Sequence, residues 1–393
     1  MDSHQLPWEV IERVIDHSGG HPNTLRSLSL TCSQLRPRSR CLMFSRVDLR
    51  SRNAVFEFLD FLQDNPILKS FVRSIVVQPD DLAPFPLLHI LSNLSEITFT
   101  ARHPHAKQAV PALHQSSLTC FHRFGTHIQT LCISYLLFPT YLPFARILLA
   151  FPNVIHLTCT AVEIETAGDR APLEVIRQRL CKQMQLKTLT IDSFVASTAC
   201  PQSVHVGILL LNSDLAPSTV ESLRLNARYG SNILSHREFH WSRLRSLVLH
   251  TPLDWGDDLP EAIDCLEKFH GPTLREVILE MDVRHFPSSP RSIVRNLLLD
   301  NPVLKKLEHS LLRFSHPGIM WIILDPLRAD SHSFWSRELG RHFPLLYQRG
   351  ATLALKANSE TATPAGHGHD SRLKALIVSP NSKWVASASC DYT

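Results

Sequence analysis

The chain carries a six-residue phrase, apolar-x-x-apolar-x-apolar, that returns along most of its length. It stands as FSRVDL from Phe44, VRSIVV from Val72, LSEITF from Leu94, IQTLCI from Ile128 and VIHLTC from Val154. It continues as LKTLTI from Leu186, VESLRL from Val220, LRSLVL from Leu244, LREVIL from Leu274 and, degenerately, LKKLEH from Leu304. Successive starts lie 28, 22, 34, 26, 32, 34, 24, 30 and 30 residues apart. Positions four and six alternate with polar residues, the period of a strand with one buried face. Each phrase is therefore expected to be a short strand whose positions three, five and seven point outward. That outward set contains Glu96, Thr98, His156, Thr158, Thr188, Asp192, Arg224, Asn226, His250, Glu276, Glu280 and Lys306. It is polar with both signs of charge, which favours a folded protein or peptide as ligand over nucleic acid.

Helical patterns separate the phrases. Ala54, Val55, Phe58, Leu59 and Leu62 form one apolar stripe, and Ile293, Val294, Leu297 and Leu298 form another. Each of these helices is expected to end at a proline turn, Asp64-Asn65-Pro66 and Asp300-Asn301-Pro302, because proline lacks the donor that would continue the helix. A strand plus a helix repeated every ~20–35 residues predicts an α/β solenoid, each unit burying its apolar side against its neighbours. An ordinary α/β domain with parallel strands is the alternative.

Residues before Phe44 follow a different rule. Leu6-Pro7 opens a predicted helix in which Val10, Ile11, Val14 and Ile15 recur at helical spacing, and Gly19-Gly20 stops it. Asn23 or Thr24 can cap a second helix carrying Leu25, Leu28, Leu30, Cys32 and Leu35, and Pro37 is expected to interrupt it. Three helices in ~40 residues sit at the lower limit for an independent core. Their apolar residues exceed one stripe, so something else should cover part of the surface. They either cap an open end of the repeats or dock a separate helical partner.

Composition narrows the chemistry. In 393 residues there are 13 Gly and 26 Pro, which disfavours glycine-dependent phosphate loops and fits a chain cut into short elements. A net charge of +4 gives no reason to expect nucleic acid or an anionic membrane. The nine cysteines are scattered without a Cys-x-x-Cys pair, as reduced thiols of cytoplasm or nucleus would be. The first residues lack a secretory-signal pattern, and the most apolar stretch, 136–159, is broken by Pro139, Pro143, Arg146 and Pro152, so no membrane span is expected.

Walker, Gly-x-Gly-x-x-Gly, Gly-x-Ser-x-Gly and His-Glu-x-x-His motifs are absent from the sequence. His236 and His240 lack a third ligand nearby and read as a surface loop. Asp254, Asp257, Asp258 and Glu261 lack calcium-loop spacing and read as a solvated turn at a helix start. No enzyme activity, metal or cofactor is expected.

Three resemblances then apply. Leu186-x-x-Leu189-x-Ile191 and Leu244-x-x-Leu247-x-Leu249 resemble leucine-rich repeats, although the Asn or Cys that follows the strand in regular repeats is mostly missing. Leu6-Pro7-x-Glu9-Val10-Ile11-x-x-Val14-Ile15, then Leu25-x-x-Leu28-x-Leu30-x-Cys32, then Pro37-Arg38-Ser39-Arg40-x-Leu42-x-Phe44, resemble an F-box of the fungal type. Leu35 stands where many relatives carry Trp. Gly368-His369, Leu373, Leu376, Val378-Ser379-Pro380 and Lys383-Trp384-Val385-Ala386-Ser387 resemble part of one WD-repeat blade, ending before the Trp-Asp dipeptide.

The implied plan is an F-box at 4–45, a leucine-rich-repeat-like solenoid of about ten parallel strands at 46–356, a linker at 357–366 and a loosely packed partial β-propeller blade at 367–393. F-boxes bind the Skp-family adaptor of cullin-based (SCF) ubiquitin ligases. The resemblance implies that Leu6, Pro7, Ile11, Ile15, Leu28 and Leu35 form that interface or its support. The expected role is a substrate-recognition subunit joining adaptor and cullin to a target held on the strand face. The alternatives are an interaction scaffold without a ubiquitin role and, less favoured for want of any motif, a hydrolase.

Overall fold

The computed structural model describes residues 7–19, 21–49, 51–78, 85–101, 108–110, 115–165, 170–192, 204–206, 210–211, 218–227, 239–252, 258–270, 273–282, 302–314, 318–325, 331–357 and 375–378. The chain is α/β, and it divides into two compact units, residues 1–157 with 161–184 and residues 158–160 with 185–393. The division falls inside the stretch read as one solenoid.

The first unit opens with α1 (Trp8–His17), α2 (Pro22–Thr31) and α3 (Arg36–Ser45). Pro7 is the N-cap of α1, and the helix stops at Ser18, whose hydroxyl donates back to the Val14 carbonyl at 2.9 Å. His21 rather than Asn23 or Thr24 caps α2, because Pro22 takes the first helical position, where its missing N–H costs nothing. Pro37 likewise sits in the opening turn of α3 instead of interrupting a helix. Ile15 and Leu25 are the buried apolar residues of α1 and α2. Arg38 clasps Asp16 across α3 and α1, Nε donating to Oδ1 at 2.7 Å and Nη2 to Oδ2 at 2.8 Å.

Strands and helices then alternate. The strands are β1 (Arg46–Leu49), β2 (Ser74–Val77), β3 (Glu96–Thr100), β4 (Gln108–Ala109), β5 (Thr130–Ser134), β6 (Leu136–Phe138), β7 (His156–Thr160) and β8 (Glu163–Ile164). The helices are α4 (Arg52–Asp64), α5 (Phe85–Ile90), α6 (Gln115–Phe124), α7 (Tyr141–Ala150) and α8 (Arg170–Gln183). α4 starts where the Ser51 hydroxyl accepts the Ala54 N–H, buries Val55 and Leu62 of its predicted stripe, and ends before Pro66 as expected.

β1, β2, β3 and β5 pair in parallel with equivalent positions aligned: Arg46 opposite Ser74, Ser74 opposite Glu96, Glu96 opposite Thr130. Each of these residues is position three of its phrase. From the second phrase on, three successive position-two carbonyls each accept the N–H groups of positions two and three of the next phrase. Arg73 serves Ser95 and Glu96, Ser95 serves Gln129 and Thr130, and Gln129 serves Ile155 and His156, all at 2.8–3.0 Å.

Side chains reinforce this ladder. Asn93 and Asn153, each immediately before a phrase, donate to the carbonyls of Ser70 and Thr126, each two residues before the preceding phrase. A second parallel ladder, β4–β6–β8, follows the first. Tyr135 and Ala161 turn the chain into it from the same phrase position with φ of 58° and 52°, a left-handed geometry that costs a non-glycine residue energy. Phe99, Phe121 and Phe151 pack with ring centroids 5.1–6.3 Å apart, and Gly125 lies against two of them.

The second unit repeats the rule. Its strands are β9 (Thr188–Asp192), β10 (Val204–His205), β11 (Ser222–Asn226), β12 (Phe239–His240), β13 (Ser246–Pro252), β14 (Phe269–His270), β15 (Glu276–Asp282), β16 (Gly318–Asp325), β17 (Thr352–Ala357) and β18 (Ala375–Val378). β9, β11, β13, β15, β16 and β17 pair in parallel in that order. Thr188, Ser222, Ser246 and Glu276 align as position three, and Lys187, Glu221 and Arg245 supply the shared carbonyls. β18 adds antiparallel to β17. It falls in the stretch 367–393 expected to be a partial blade, whose remaining residues lie outside the described ones, as do residues 358–366 of the expected linker and the stripe Ile293–Leu298.

One phrase fails as a strand. LKKLEH lies within the helix Pro302–Leu312, so Lys306 is a helix residue, 3.7 Å from Glu267 of the helix Asp258–Lys268. Pro302 opens this helix, and the expected helix before it lies outside the described residues. Glu308 is buried because Oε1 accepts the N–H groups of Leu345 (2.8 Å) and Leu346 (3.2 Å), capping the helix Pro344–Gln348. Among the described residues no helix is long and apolar enough to cross a membrane.

A Cβ on Gly125 would lie 2.5 Å from the Phe121 carbonyl oxygen and 2.7 Å from the Phe151 ring. Gly125→Ala is therefore expected to cost about 1–3 kcal/mol, read as a lower denaturation midpoint. Burial pushes the Cys265 thiol up to about 12, whereas Cys32 is exposed. Alkylation at pH 8 should label Cys32 in the folded chain and reach Cys265 only after denaturation.

Candidate functional site

Register gathers part of the predicted binding set. β11, β13 and β15 pair so that Asn226 lies opposite His250 and His250 opposite Glu280. Parallel strands lie about 4.8 Å apart, so these position-seven side chains form a continuous row. Ile191 of β9 pairs with Leu225, so the next residue, Asp192, stands beside Asn226 at the other end. Arg224, two residues before Asn226, shares its outward face.

The row is a charged network rather than a solvated surface. Arg224 forms an ion pair with Glu280, and His250 Nδ1 lies 3.5 Å from the same Glu280 oxygen. The Arg224 side chain is 31% exposed, but those of Glu280 and His250 are each only 2% exposed. Thr251 donates its hydroxyl to the Glu280 carbonyl at 3.2 Å. Asp192, Asn226 and Thr98 are also buried. The expectation of an open outward face is thus corrected at these positions, because stacking at parallel-strand spacing makes each side chain cover its neighbours.

The remaining predicted residues occupy other positions. Glu96 and Thr98 lie on β3 and His156 on β7; Thr158 and Thr188 are partly buried threonines of β7 and β9. Glu276 accepts the Ser246 hydroxyl at 2.9 Å, four phrase positions before the row. Lys306, on its helix, does not join it. Among the described residues no three His, Cys, Asp or Glu side chains converge as a metal would require. His236, Asp254 and Asp257 lie outside the described residues.

The three-helix segment offers a second surface. Leu6 lies outside the described residues, Pro7 is exposed, and Ile11, Leu28 and Leu35 are partly buried. Ile15 is buried, so it supports the helices from within. The exposed apolar side chains are Trp8 (39%), Val10 (40%), Val14 (55%) and Leu30 (72%). Sequence reasoning named Val10, Val14 and Leu30 as helical apolar residues but assigned the interface to their neighbours. The signal was present, since Val10 and Val14 sit four apart beside Ile11 and Ile15, and one pair faces out if the other faces in.

Compared with known proteins, the chain matches no family model and no curated protein.

Replacing Arg224 with Met should cost about 2–4 kcal/mol in denaturant unfolding, since it removes the counter-charge that Arg224 supplies to the buried Glu280. Adding Glu280→Gln to that variant should recover part of the loss.

Proposed function

We propose that this protein is a non-catalytic receptor whose three N-terminal helices dock a helical adaptor while its strand face holds a target. The observation that carries the reading is the set of exposed apolar side chains on α1 and α2, Trp8, Val10, Val14 and Leu30, in a segment of about 40 residues. Isolated exposed apolar residues are ordinary; four on two adjacent short helices are more than surface chance requires. The F-box resemblance of Leu6–Phe44 names the adaptor as a Skp-family protein of an SCF-type ubiquitin ligase, in cytoplasm or nucleus. The leucine-rich-repeat resemblance supports target binding by the strand face, and the blade-like tail would add a further contact surface.

In this reading the chain performs no chemistry. It holds a target near a ubiquitin-charged partner, which turns a bimolecular transfer into an effectively intramolecular one. Each exposed apolar anchor buried by the adaptor is worth about 1.5–3 kcal/mol when fully covered.

The test is capture of a purified Skp-family adaptor by the full chain. Wild type should retain it, and Val14→Asp with Leu30→Asp should lose it while keeping the wild-type unfolding midpoint, since both side chains are exposed. An interaction scaffold without a ubiquitin role would give no capture by wild type.

A further inference from the structure

Within the second unit the buried carboxylates are answered one by one. Glu280 meets Arg224, Glu308 takes two backbone N–H groups, and Glu338 pairs with Arg337 at 3.0 Å. Asp192 differs. It is 8% exposed, and among the described residues its Oδ1 is buried without a hydrogen-bond donor. A carboxylate removed from water without a counter-charge is costly, so such a group calls for a partner.

The charge around it gives the partner's sign. Arg224 pairs with Glu280, His250 lies 3.5 Å from that same Glu280 oxygen, Asn226 is uncharged, and Asp192 has no ion-pair partner in the row. The row opens to solvent at Arg224, whose side chain is 31% exposed, on the face that Asp192 shares. A ligand group suited to this end must carry positive charge and donate hydrogen bonds to a carboxylate, which a guanidinium or ammonium head does.

We infer that the Asp192 end of the polar row is a binding site for a basic side chain, arginine or lysine, on a segment of the target protein. This rests on the reading of the strand face as the target-binding surface and not on the adaptor reading. Asp192 accepts the cationic head, and the Arg224–Glu280 pair beside it prevents Glu280 from competing for that head.

The test uses fluorescein-labelled hexapeptides carrying a central arginine, lysine, citrulline or norleucine, titrated with the full chain and followed by fluorescence anisotropy. The arginine and lysine peptides should bind at least tenfold tighter than the citrulline and norleucine ones, with the preference shrinking as salt is raised. Asp192→Asn should abolish the preference, and Asp192→Glu should keep part of it. Asp192→Asn removes a buried charge, so its unfolding midpoint should not fall. Equal binding of arginine and citrulline peptides, absence of binding at millimolar concentration, or a preference that survives Asp192→Asn would each overturn the inference. Asp192→Asn should still capture the adaptor, so loss of peptide discrimination with adaptor capture intact isolates this site. Cation discrimination by a wild type that captures no adaptor would overturn only the adaptor reading.

Discussion

One backbone interaction organises the repeats: a single carbonyl at phrase position two accepts two N–H groups from the following phrase. Arg73, Ser95 and Gln129 do this in the first unit, and Lys187, Glu221 and Arg245 in the second. Because the acceptor always has the same phrase position, each strand starts level with the one before it, and equivalent residues align across strands. The apolar positions then stack into a continuous core row, with Ile75, Ile97 and Leu131 in one unit and Leu189, Leu223, Leu247 and Val277 in the other, all nearly inaccessible to water. A register slip of one residue would turn each of these to the opposite face, which is why register and burial enforce each other.

That regularity made the strands readable in advance. Every phrase except the last is a strand, because its apolar positions four and six alternate as a half-buried strand requires. The failure of LKKLEH has a physical cause. Apolar-x-x-apolar is also the i, i+3 spacing of a helix, so the first four positions cannot tell strand from helix. Position six decides: the true strands carry an apolar residue there, whereas this phrase carries His309, and Val303, Leu304, Leu307 and Leu311 complete a helical stripe. The left-handed turns at Tyr135 and Ala161 and the Asn93 and Asn153 bonds to the preceding repeat had no sequence signature of their own, since they depend on how adjacent repeats meet.

The polar row was half legible. Position seven was read as outward, and that reading is enough to name Asp192, Asn226, His250 and Glu280 together. Their burial was not legible, because it arises from the side chains on neighbouring strands, which sequence places 24 to 34 residues away. At the N-terminal helices the reverse holds. The helices and their excess of apolar residues follow from spacing, but which of two adjacent pairs faces outward is set by packing: Ile15 and Leu25 go inward, and Val10, Val14 and Leu30 stay exposed.

Strands already hydrogen-bonded in ladders should change little when a partner arrives, whereas short helices with bare apolar side chains should change most. Amide hydrogen exchange of the full chain, with and without a Skp-family adaptor, tests this directly. The account predicts slowed exchange concentrated in residues 8–31, with the strand amides unaltered. Unchanged exchange across α1 and α2 at saturating adaptor would contradict it.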